Sequence, residues 1–137
     1  MVIDLLGIVP NGSTHDDLRA PANPRKRATL VQGSTLAFRL KILTQDGVPV
    51  DLAADPAATL YLTVKKTARD TESKLLIVGV PDPSIGKNAA TFSADPTATK
   101  YLDPGLYVYD VWLTYAGVRD CILPASQLHI EPGLRLP

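Results

Sequence analysis

Apolar and polar positions alternate one for one over long stretches of this chain. After the turn Asp103-Pro104-Gly105, Tyr107, Tyr109, Val111, Leu113 and Tyr115 share one phase, and Val108, Asp110, Trp112 and Thr114 share the other. A period of two over this length marks a strand that lays one face on a core. Thr35 to Thr44 repeats the pattern, with Leu36, Phe38, Leu40 and Ile42 set against Thr35, Ala37, Arg39 and Lys41. Thr59 to Lys66 does so again, with Leu60, Leu62 and Val64 opposing Tyr61, Thr63 and Lys65. Shorter strands are predicted at 28–32, 48–52, 75–80, 89–94, 118–123 and 127–131. The punctuation between them is turn chemistry: Gln45-Asp46-Gly47, Pro81-Asp82-Pro83, Ala116-Gly117 and Pro124-Ala125-Ser126. Asp95-Pro96 predicts one capped helical turn, since Asp caps well and proline suits the first helical position. Many short strands with Gly/Pro breaks predict an all-β, antiparallel two-sheet sandwich.

Residues 1–27 break this rhythm. Pro10, Asn11-Gly12, Pro21 and Pro24 interrupt any regular element, and Arg25-Lys26-Arg27 closes the segment. The expected organisation is therefore an extended, Pro-rich arm over 1–27 and a sandwich with a short tail over 28–137. Val2, Ile3, Leu5, Leu6, Ile8 and Val9 give the arm apolar docking groups. Extended segments of this kind add to a neighbour's sheet edge, where main-chain bonds supply affinity. The basic triplet Arg25, Lys26, Arg27 is expected to meet solvent or an acidic neighbour. Trp112, in the outward phase of its strand, is the remaining interface candidate, because tryptophan anchors protein contacts.

Composition narrows function mostly by exclusion. The chain has 137 residues, with 14 Lys plus Arg against 14 Asp plus Glu. That length suits one domain, and that balance offers no field for nucleic acid or an anionic membrane. One cysteine, Cys121, forbids an internal disulfide and fits a reducing compartment. The apolar start lacks a basic leader and carries Asp4, so no secretory signal is expected. Two histidines, His15 and His129, are too few and too scattered for a metal or general-base site. Cys121 has no imidazole nearby in sequence, and no nucleophile-elbow, zinc-protease or phosphate-loop motif occurs. The carboxylates of Asp46, Asp51, Asp55, Asp95 and Asp103 have turn or cap roles. No catalytic residue, cofactor or metal is therefore expected.

Four runs occur in a telling order: Gly33-Ser-Thr-Leu-Ala-Phe-Arg-Leu40, Gln45-Asp-Gly-Val-Pro-Val-Asp-Leu52, Leu60-Tyr-Leu-Thr-Val64 and Leu102-Asp-Pro-Gly-Leu-Tyr-Val-Tyr-Asp-Val111. Together, over roughly residues 30 to 131, they resemble the immunoglobulin-like N-terminal domain of phage baseplate upper proteins and related small virion proteins. The placing of Tyr107 just after a turn also matches the tyrosine corner of immunoglobulin-like sandwiches. The resemblance implies an immunoglobulin-like sandwich and a non-enzymatic virion structural protein. Such a chain is an adaptor in tail, baseplate or neck, assembled in the host cytoplasm in multiple symmetric copies. Its partners are other virion proteins, with no direct contact to nucleic acid or membrane. The alternatives are a capsid decoration protein and a carbohydrate-binding or adhesive sandwich that uses Trp112 and the tyrosines as a stacking platform.

Overall fold

The structure, a computed structural model, describes residues 3–9 and 27–133. Among the described residues the strands are β1 (Ile3–Val9), β2 (Ala28–Val31), β3 (Leu36–Thr44), β4 (Thr59–Lys65), β5 (Leu75–Val78), β6 (Val80–Pro81), β7 (Ala89–Ala94), β8 (Gly105–Tyr115) and β9 (Val118–Glu131). A four-residue helix, α1 (Pro96–Thr99), joins β7 to β8. The strands form two sheets, ordered β1-β3-β7-β6 and β2-β9-β8-β4-β5. Two packed sheets make an all-β sandwich, so the expected class holds.

Alternation places the core as the sequence predicts. Leu36, Phe38, Leu40 and Ile42 from one sheet face Leu62, Val64, Tyr109 and Val111 from the other, all buried. Phe38 stacks on Tyr109 with ring centroids 5.2 Å apart. Tyr107 forms the corner: its ring is buried and its hydroxyl donates to the Asp103 carbonyl at 2.8 Å. Gly105 makes the approach possible at φ +144°, a region closed to residues with a Cβ. Asp95 caps α1, accepting from the Ala98 N–H at 3.1 Å. Ala116 and Gly117 both take positive φ, as a two-residue type I′ hairpin requires.

The structure departs from the expected organisation in five places. The sandwich begins at Ile3 rather than Ala28. β1 pairs in parallel with β3 from Ile3↔Phe38 to Val9↔Thr44, and Ile3 and Leu5 join the core. The backbone of β3 would otherwise be an unpaired edge, which β1 satisfies. Asp4, on the outward phase, is bonded by Arg39 at 2.7 Å, and that carboxylate holds the guanidinium pKa above its ordinary value.

Neither sheet is wholly antiparallel, since β2 also runs parallel to β9. A parallel pair needs a long crossover: β1 and β3 are separated in sequence by the stretch that holds β2, and β2 and β9 by six strands of the sandwich. Residues 48–52 make only a single bridge, Leu43↔Pro49, before a 3-10 turn at Leu52–Ala54. There the Asp51 carboxylate accepts from Ala53 N–H, and Leu52 N–H goes to the Lys87 carbonyl. The expected strand at 75–80 splits at Gly79, where the chain leaves β4 for β7 and changes sheet. Finally, 118–131 is one strand. Pro124 survives inside it because the register slips between Tyr109↔Ser126 and Val111↔Leu123, so the missing donor falls in a bulge.

Candidate functional site

The outer face of the five-stranded sheet brings aromatic, thiol, carboxylate and guanidinium groups together. Cross-strand partners share a face, so register alone assembles it. Trp112 on β8 lies opposite Cys121 on β9 and Tyr61 on β4, and Tyr61 lies opposite Val78 on β5. Cys121, Trp112, Tyr61 and Val78 thus form one line across four strands. In the adjacent line Asp110 faces Thr63, which faces Leu76. The Thr63 hydroxyl donates to the Asp110 carboxylate. That bond accounts for a charge in mid-strand.

Arg119 lies over the Trp112 ring, 4.8 Å from its centroid. A guanidinium there is attracted by the ring's quadrupole and restrains the half-buried indole. Cys121 is half-buried, not interior. Its thiol donates to the Leu123 carbonyl at 3.3 Å, and burial together with the Asp110 charge raises its pKa. The protonated thiol that results is a poor nucleophile. His129 points outward on β9 with Nδ1 4.0 Å from the Glu131 carboxylate. Among the described residues no three His, Cys, Asp or Glu side chains gather as a metal-ligand group.

Beside this face runs a free edge. β5 and β6 are the outermost strands of their respective sheets on one side of the sandwich. Leu76, Val78 and Val80 are 55%, 58% and 60% exposed along that ribbon. No charged residue interrupts it between Lys74 and Asp82. Soluble domains usually guard such edges with lysine, proline or a bulge, and Pro81 is the one such guard here.

The residues expected to form an interface are divided by the structure. Trp112 lies at the centre of the outer face. Ile3, Leu5 and Ile8 are buried in their own domain, and Leu6 and Val9 are half-buried there. Their apolar character therefore serves β1's own sandwich, which corrects the expectation that they dock on a neighbour. Arg27 is exposed at the entry to β2. Val2, Arg25 and Lys26 lie outside the described residues, as do Pro10, Pro21, Pro24 and His15. Tyr61, Leu76, Val78 and Val80 were missed as site residues. Tyr61 was legible in the outward phase of 59–65, but its place beside Trp112 depends on register between strands about fifty residues apart.

No family model matches the chain, and no curated protein matches it. Among solved structures, the N-terminal domain of phage TP901-1 ORF48 is similar at a TM-score of 0.45 and 10% identity, covering 98% of this chain and 100% of that one.

Proposed function

We propose that this chain is a non-enzymatic structural protein of a phage virion that docks neighbouring subunits through the outer face of its five-stranded sheet. The adaptor position in tail, baseplate or neck rests on the ordered motifs between Gly33 and Val111. The docking surface rests on one observation: the line Cys121, Trp112, Tyr61, Val78, with Arg119 stacked on the indole and Leu76 alongside. Aromatic residues and arginine, flanked by apolar Val78 and Leu76 and without dense charge, are the composition of interface centres. The protein acts in multiple copies inside the particle, without contact to genome or membrane.

A carbohydrate-binding module is the second reading. Tyr61 beside Trp112 favours it, because it gives the exposed face two neighbouring aromatics where the strand pattern alone showed one.

Particles assembled with a Trp112→Ala, Tyr61→Ala chain test both. The variant is expected to keep a cooperative unfolding transition and to be missing from purified particles, where the unaltered chain is retained. Incorporation at the unaltered level would move the docking surface elsewhere. Absence of the unaltered chain from particles would overturn the virion role. Glycan binding abolished by the same substitutions would decide for the second reading.

A further inference from the structure

A cleft of about 400 Å³ opens at one end of the sandwich, between the 51–58 segment and the ribbon from Gly79 to Ala89. Its walls are apolar, with Leu52, Leu60 and Pro81 among them, and the volume is of the size ligand pockets reach. Among the described residues that line it, Asp51, Asp55 and Asp82 oppose one cation, Lys87. Local bonds hold the carboxylates in place. Asp55 accepts from the N–H groups of Ala57 at 3.0 Å and Ala116 at 2.7 Å. Asp82 accepts from the Ser84 hydroxyl at 2.5 Å. The site therefore suits a short segment that is apolar with an embedded positive charge.

Leu134-Arg135-Leu136 is such a segment. It follows Gly133, which is pressed against the Gln32 backbone so closely that an added Cβ would come within 2.3 Å of the Gln32 carbonyl oxygen. The Gln32 side chain in turn donates to the carbonyls of Lys100 and Leu102, just before β8 begins. The cleft lies where β8 ends, tied to it through Asp55 and Ala116. β8 has 11 residues, which at about 3.3 Å each separates the two ends by roughly 35 Å. Arg135 is two residues beyond Gly133 and reaches at most about 7 Å from it. The cleft of the same copy is out of reach.

We propose that this cleft takes Leu134-Arg135-Leu136 of a second copy, the leucines entering the apolar floor and the guanidinium meeting the acidic rim. Donor and acceptor then sit at opposite ends of one molecule, so the contact is head to tail and generates a ring or a filament rather than a two-fold dimer.

Sedimentation velocity on the full chain reads this directly. The mean mass is expected to rise with protein concentration at low salt and to fall back at high salt, where the charge term is screened. A donor-blocked chain (Leu134→Asp, Leu136→Asp) and an acceptor-blocked chain (Ala58→Arg, with Asp82→Lys as a second version) are each expected to stay monomeric. Mixed in equal amounts they are expected to form a dimer and nothing larger, because one intact donor meets one intact acceptor. A full chain that stays monomeric at every concentration overturns the proposal. So does association that persists in either blocked chain, or a mixture that remains monomeric. The measurement needs no particle, so its failure leaves the virion reading standing.

Discussion

The two sides of the sandwich end in strands of similar apolar character and opposite fate. On one side β1 closes the four-stranded sheet: Ile3 and Leu5 are buried and Asp4 is paired with Arg39. On the other, β5 and β6 leave Leu76, Val78 and Val80 more than half exposed. Hydrophobicity alone does not separate them, since Ile-Asp-Leu-Leu and Leu-Leu-Ile-Val read as comparable strand segments. What separates them is partnership. The apolar phase of β1 meets Phe38 and Leu40 across the parallel pair with β3, whereas Leu76 and Val78 occupy the outward phase of a strand whose inward residue, Ile77, already fills the core. One edge is consumed in folding, and the other keeps its outward apolar residues exposed.

That contrast gives a graded set of expectations. A chain beginning at Ala28 loses the whole closed side. Burying Ile3, Leu5 and Ile8 contributes about 1.5–3 kcal/mol each, a sum comparable to the 5–15 kcal/mol net stability of a domain. Such a chain is expected to unfold at far lower urea or fail to fold, and an unchanged midpoint would return β1 to the status of an arm. On the open side, Gly79→Ala places a Cβ within 2.6 Å of the Phe92 ring and 2.8 Å of Leu60. Overpacking of this kind costs about 1–3 kcal/mol, so a midpoint shift of that size is expected even though the neighbouring side chains are exposed.

Tyr109, shared by both sides, supplies a pH expectation. Its ring is 1% exposed, and burial pushes its hydroxyl pKa from 10.0 up to about 12 against a smaller opposing pull from the Ser126 bond. The neutral form is favoured in the fold, so its contribution is fully present below pH 10. Above that the unfolded chain releases its proton first, and stability falls through pH 12 by up to about 2–3 kcal/mol. Tyr109→Phe should flatten that decline in urea titrations; an equally steep loss in the variant would assign it to other groups, with Tyr107, raised in the same direction by burial, the next to test.

Tyr107→Phe removes the hydroxyl that donates to the Asp103 carbonyl. A loss of about 1 kcal/mol is expected, and no measurable loss would make the corner ornamental. Smallest of all, Leu76→Lys with Val78→Lys should alter the unfolding midpoint by less than about 0.5 kcal/mol, as ordinary surface changes do. A large destabilisation there would show that the open edge is structural after all and would erase the contrast with β1.

Much of this was readable from local sequence. Alternation located β3, β4 and β8 to within a residue or two and chose their buried faces, and the short strand expected at 89–94 is β7. The Asp95 cap, the Ala116-Gly117 hairpin and the Tyr107 corner were also legible, because each is specified by residues within about five positions of one another. The candidate site was legible only in part: Trp112 stood out in its outward phase, while Tyr61, Cys121 and Val78 acquire meaning only as its cross-strand neighbours.

The sequence by itself therefore determined the long alternating strands β3, β4 and β8, their inward faces and the all-β class, because a two-residue period and turn chemistry act over short distances along the chain. Only the tertiary structure decided that β1 belongs to the sandwich, that Pro124 sits in a bulge of one continuous strand, and that Gly79 carries the chain from one sheet to the other. Each of those depends on which backbone groups lie opposite, and pairing between β1 and β3, β4 and β5 or β8 and β9 is fixed by the hydrogen bonds and packing of the assembled sheets.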